Sequence, residues 1–190
     1  MTSTRPRAIL AAAIAAAALL APPLAAAPAK RAATIADLYA VQGVGEPVIA
    51  PDGKSVAFTV TSTDLPAVKR WTNLWRVDAD GKNARALTVL DKRDASPDFS
   101  PDGATLAFLS TRSGAPQVWF LPVAGGEPEK KTDLPGGVGA FRFSPDGKRL
   151  FLLVDVWPAC GADLDCNRKK DDAMEKGKMK AVVADSLFVR

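Results

Sequence analysis

Three segments of the chain align without gaps, and each carries Pro-Asp-Gly at the same place. They are Ile49 to Phe58 around Pro51-Asp52-Gly53, Phe99 to Phe108 around Pro101-Asp102-Gly103, and Phe143 to Leu152 around Pro145-Asp146-Gly147, so the period is 50 and then 44 residues. A repeat of this length marks a stacked or radial architecture, in which one supersecondary unit recurs and buries its apolar face on its neighbours. Proline fixes φ near −65°, aspartate bonds its own backbone, and glycine takes positive φ without steric cost, so each copy is a turn. Apolar stretches flank each turn. Val56, Phe58 and Val60 alternate with Ser55, Ala57 and Thr59, while Leu150 to Val154 is apolar throughout. These are strand patterns buried on one or both faces, and the turn joins them as an antiparallel pair.

A second hairpin recurs behind the first. Asn73 to Val77 leads through Asp80-Gly81 to Ala86-Leu87-Thr88, and Gln117 to Leu121 leads through Gly125-Gly126 to Lys130-Lys131-Thr132. Trp75 and Trp119, Gly81 and Gly125, and Thr88 and Thr132 are each 44 apart. The unit is therefore four short strands and three turns, which predicts an all-β fold of β-propeller blades at about 46–90, 96–133 and 140–190. In the third unit Asp185 to Arg190 aligns with the third strand, and an insertion over about 155–184 precedes it. The chain stops inside that strand. Three blades fall short of the four to eight that close a propeller, so the expectation is the front part of a longer protein.

Ahead of the repeats, Arg5 and Arg7 precede an apolar run from Ala8 to Ala21, then Pro22 and Pro23. That order is a secretory signal, and the run is shorter than the ~20 residues a membrane-spanning helix needs. Small residues at Ala27 and Ala29 place cleavage after Ala29, giving a signal peptide over 1–29 and a mature chain from Lys30. The expected location is secreted or periplasmic, with no membrane association after cleavage. Removing two arginines takes most of the weight from the basic balance, and no nucleic-acid partner is expected.

The sequence has no histidine and two cysteines. Without histidine, Ser-His-Asp and Cys-His chemistry cannot operate in this chain alone, and two cysteines cannot complete a structural zinc site. No catalytic residue, metal ligand or cofactor is assigned. Gly53-Lys54-Ser55 copies the end of a phosphate-binding loop, but Val48 stands where the first glycine belongs and a strand follows. Gly53 to Ala57 also imitates a Gly-x-Ser-x-Gly elbow, yet it ends in alanine and leads out of a hairpin. Trp71, Trp75 and Trp119 suggest a stacking surface, but recurrence at one blade position favours packing. Asp163, Asp165 and Asn167 open like a calcium loop, with Arg168 in place of the sharp-turn glycine and Met174 in place of the closing glutamate. The mixed charges of Arg168 to Lys180 read as a solvated loop or short exposed helix. Cys160 and Cys166 share one polar loop of a chain sent to an oxidising compartment, which predicts a disulfide between them.

The signal segment, the Thr34 to Tyr39 stretch before the first turn, the repeated Ser-Pro-Asp-Gly units and the ending Asp-Ser-Leu-Phe-Val-Arg together resemble a known architecture. It is the N-terminal propeller of secreted bacterial prolyl oligopeptidase family serine peptidases, in the dipeptidyl-peptidase and acylaminoacyl-peptidase branch. The resemblance implies a C-terminal α/β-hydrolase domain bearing a Ser-Asp-His triad, none of which lies in this chain. It implies a non-catalytic role here: the propeller gates short peptides to the hydrolase domain, so the expected partner is a peptide substrate acting through that domain. The alternative is a periplasmic propeller that binds a protein partner, similar to the Tol-system propeller, with no hydrolase at all.

Overall fold

The computed structural model describes residues 31–177. The signal segment, the last part of the insertion and the strand expected at Leu187 to Arg190 lie outside the described residues. A short helix, α1 (Ile35–Ala40), opens the described part. Its Asp37 carboxylate accepts from the backbone amide and hydroxyl of Thr34, at 2.7 and 2.8 Å.

Two four-stranded antiparallel sheets follow. The first runs β1 (Gly43–Ile49), β2 (Ser55–Asp64), β3 (Lys69–Asp78) and β4 (Arg85–Ala86), paired in sequence order. The second repeats it with β5 (Asp94–Phe99), β6 (Thr105–Ser110), β7 (Gln117–Pro122) and β8 (Glu129–Lys130). A third begins with the pair β9 (Ala140–Phe143) and β10 (Leu150–Leu153). The chain then leaves the sheet through a loop into helix α2 (Leu164–Lys176). Neighbour-only pairing with short turns is the blade topology the repeat predicts. Among the described residues the sheets do not close into a ring.

The three Pro-Asp-Gly turns are built alike. The glycine amide donates to the carbonyl three residues back in each, from Gly53 to Ala50, Gly103 to Ser100 and Gly147 to Ser144, at 2.8 to 2.9 Å. Each aspartate accepts from the amide two residues on, at 2.9 Å in Asp52, 3.0 Å in Asp102 and 3.1 Å in Asp146. The second and third turns add a serine. Ser100 and Ser144 donate to Asp102 and Asp146 at 2.6 Å and accept from Thr105 and Arg149 amides at 2.9 Å. Ala50 stands in that position in the first turn and makes no such bonds. The serine hydroxyl, and then the backbone amide, hold the Asp102 and Asp146 carboxyls below the ordinary value.

The blades pack face to face in two seams. Ala57 and Leu74 of the first blade meet Phe99, Leu106, Phe108 and Leu121 of the second. Ala107, Leu109 and Val118 of the second meet Phe141 of the third and Val138 in the link before it. Alternation explains the division: Phe108 looks back to blade 1 and its neighbour Ala107 looks forward to blade 3. The turns stack as well. A Cβ on Gly103 would lie 3.6 Å from Cδ of Pro51, and one on Gly147 would lie 3.4 Å from Cδ of Pro101. Those glycines have φ of 71° and 68°, so their conformation favours a residue without a side chain, while a Cβ there would meet the preceding proline at ordinary van der Waals distance.

Behind each blade a second device recurs. Thr88 and Thr132 accept from the amides of Leu74 and Val118 at 3.0 and 2.9 Å, and they donate to the side-chain carbonyls of Asn73 and Gln117. Those carbonyls also accept from the amides of Leu90 and Leu134. The chain is thereby turned away from the short outer strand with its buried amides satisfied.

Candidate functional site

The innermost strand of each blade, β1, β5 and β9, contributes to one concave wall. A cleft of about 630 Å³ lies there, and its lining includes Glu46, Asp98 and Arg142 with Phe151 and Leu153 from β10. Two of the inner strands are bulged at matching places. Pairing shifts register between Gly45 and Val48 in β1 and between Ala95 and Asp98 in β5. The bulged residues, Glu46 and Ser96, have φ of 49° and 52°, a left-handed conformation that costs non-glycine residues energy. Each precedes a proline, Pro47 or Pro97, whose missing N–H suits a position where the ladder is broken. Blade 3 has Ala140-Phe141 there instead, and its ladder runs without a shift.

The bulges place charge on the wall. The Glu46 carboxylate accepts from the Ser96 amide at 2.7 Å and so ties the bulge of one blade to that of the next. Asp98, half-buried, faces the exposed Arg142 guanidinium of blade 3 at 3.7 Å. Burial raises the Asp98 carboxyl above its ordinary value, while Arg142 and the amides of Phe143 and Phe99 pull the other way. The cleft is therefore a half-polar trough in which Glu46, Asp98 and Arg142 share the lining with the exposed Phe151 and Leu153, and Phe151 stands directly opposite Arg142 across the strand pair. It offers both polar contacts and apolar cover, and it contains no nucleophile–base pair. Among the described residues no cluster of His, Cys, Asp or Glu could hold a metal ion. In the sequence this wall is marked by the Glu46-Pro47 and Ser96-Pro97 pairs, 50 residues apart.

The insertion is a stapled loop and helix. Cys160 and Cys166 are joined, with Cα atoms 5.5 Å apart. Asp163, which opens the calcium-like motif, caps helix α2 by accepting from the Cys166 amide at 3.0 Å. Asn167 is buried and bonds the Trp157 amide, the Gly161 carbonyl and the Asp163 carbonyl, which uses its side chain for loop closure. Trp157 donates from its indole to Asp171 at 2.8 Å. Trp119 packs against the seam between blades 1 and 2, as its recurrence at one blade position predicts, and lies under the Arg112 guanidinium at 4.8 Å. Among the described residues no helix is long and apolar enough to cross a membrane.

Repeated, sequentially paired, four-stranded antiparallel sheets packed face to face define a β-propeller protein. Residues 29–153 match the PD40 model, the TolB beta propeller domain, and the chain belongs to that family. It is 33% identical over 147 residues to the uncharacterized peptidase YuxL of Bacillus subtilis (strain 168), covering 77% of this chain and 22% of that protein. It is 31% identical over 108 residues to dipeptidyl-peptidase 5 of Porphyromonas endodontalis, covering 57% and 16%. Among solved structures it shares the fold of an acylaminoacyl peptidase in complex with Z-Gly-Gly-Phe-chloromethyl ketone, with TM-score 0.50, 16% identity, and coverage of 67% and 22%. The chain thus spans about a fifth of the length of the curated relatives it matches.

Proposed function

We propose that this chain is the propeller portion of a secreted or periplasmic serine peptidase, and that its concave wall limits which peptides reach a hydrolase domain outside this sequence. The observation that carries the reading is the likeness to proteins named as peptidases across 77% of this chain and only 22% of the relative's length. A propeller that takes up so small a share leaves room for the catalytic machinery elsewhere. The chemistry agrees: a sequence without histidine cannot supply the triad base. The cleft lined by Glu46, Asp98, Arg142 and Phe151 is the surface such a peptide would pass. The purified chain alone hydrolyses no peptide anilide in this reading.

The test has two parts. The coding sequence after Arg190 should contain Gly-x-Ser-x-Gly followed by Asp and His, and the protein it encodes should cleave short peptides in preference to folded or long polypeptides. Deleting the propeller should then abolish that size preference while sparing the triad. Further blades followed by a stop codon, or a size preference that survives the deletion, would overturn the reading in favour of a propeller that binds a protein partner.

A further inference from the structure

The seam between blades 1 and 2 contains a cavity of about 180 Å³, far above the roughly 10–15 Å³ that one water requires. Arg76 in β3 and Arg85 in β4 stand directly opposite each other, so both side chains leave the same face of the sheet. It is the face of Ala57, which pairs with Arg76 and belongs to the core between the two blades. Like charges directly opposite repel, and the fold keeps them together. Among the described residues neither arginine has an ion pair, and the Nε of Arg76 is buried without a hydrogen-bond partner. Both line the cavity with Leu87, Leu106, Leu121 and the Gly125-Gly126 turn, and no acidic residue lines it.

The next seam carries aromatic rings at the corresponding positions. The residue 44 positions after Arg76 is Phe120, and the residue 44 after Phe99 is Phe143. Those two rings lie 5.6 Å apart. Hydrocarbon fills at one seam the place that a half-buried cation and a hole occupy at the other.

We propose that this pocket binds a small organic carboxylate with a short apolar tail. The terminal N–H groups of the Arg76 guanidinium match a carboxylate in two parallel hydrogen bonds, and Arg85 at the exposed mouth supplies a second cation. The leucines cover the tail, which an inorganic oxyanion would not have. The same chemistry can come from a free short-chain acid or from the C-terminal carboxylate of a peptide. The site is independent of the concave wall and of the reading given for it.

The full chain, labelled with ¹⁵N-arginine, tests the proposal by titration with butyrate, N-acetyl-leucine, N-acetyl-leucinamide and inorganic phosphate, read on the arginine Nε–H signals. Butyrate and N-acetyl-leucine should shift the Arg76 signal saturably, and the amide should not. Tighter binding of N-acetyl-leucine than of butyrate identifies a peptide terminus as the ligand, and the reverse order a free acid. Arg85→Gln should weaken butyrate binding about tenfold, the usual scale of a charge-assisted contact. Arg76→Phe, which copies the second seam, should abolish binding with the melting temperature held or raised. If that variant does not fold, Arg85→Gln decides alone. No saturable shift with either carboxylate, phosphate binding as tightly as butyrate, or butyrate affinity unchanged in Arg85→Gln would overturn the proposal.

Discussion

Blades 1 and 2 bury Leu74, Leu106, Phe108 and Val118 almost completely, whereas the segment from Asp155 to Gly177 buries one side chain, and that one is the amide of Asn167. The blades are held by area removed from water, about 25 cal/mol per Å², distributed over two seams. The insertion is held by a cap, a cross-link and one amide that closes a loop. Such a segment stands or falls locally, while the blades share a core and unfold with their neighbours.

The largest expected effect comes from the blades. Phe108→Ala removes a ring fully enclosed in the first seam and should cost about 3–5 kcal/mol, read by urea unfolding. A loss under about 1 kcal/mol would show that the seam collapses around the hole and that the blades are not the rigid half of the pair. Next is the ion pair of blade 2, where Arg112 reaches the fully buried Asp94 at 2.8 Å and covers the Phe108 and Trp119 rings. Arg112→Ala leaves that carboxylate buried and unpaired and should cost about 3 kcal/mol. A double variant with Asp94→Ala should recover part of the loss, and failure to recover would mean the arginine acts only through the rings.

Reduction of the disulfide sharpens the other side. Opening a loop this short should cost roughly 2 kcal/mol, confined to the insertion. Amide exchange should accelerate over Leu164–Lys176 and stay unchanged in β6. Acceleration in both would join the two regions into one cooperative unit. Full alkylation of both thiols in protein taken from its native compartment without reductant would remove the bond and the oxidising location together. The smallest effect separates the turns. Ser100→Ala copies Ala50 of blade 1 and should raise the Asp102 titration midpoint toward the ordinary value, read by NMR. The sign follows from the depressed carboxyl: its contribution is present above the ordinary value and lost as pH falls through the folded one. An unmoved midpoint would leave the backbone amide as the sole cause.

The repeat exposed the blades because turn chemistry is local: proline, aspartate and glycine act within four residues, and three copies in register name the unit. The bulges at Glu46 and Ser96 were written in the sequence as recurring residue–proline pairs, but a bulge needs its partner strand to be seen. Arg76 and Arg85 are nine positions apart, and only the β3–β4 register brings them together. Helix α2 was legible as exposed and charged; that Asn167 organises its loop was not, because an amide with three backbone partners looks in sequence like any polar residue.

The second and third turns lie against the proline ring of the turn before, with a Cβ on Gly103 or Gly147 at contact distance from Pro51 or Pro101. A unit that carries both residues brings a socket for its predecessor and a platform for its successor. At the turn itself, then, neighbouring units meet through the same pair of residues each time. The motif is in this sense a joint that recurs with the unit, while the strands beside it are packed seam by seam, with Arg76 at the first and Phe120 at the same place in the second.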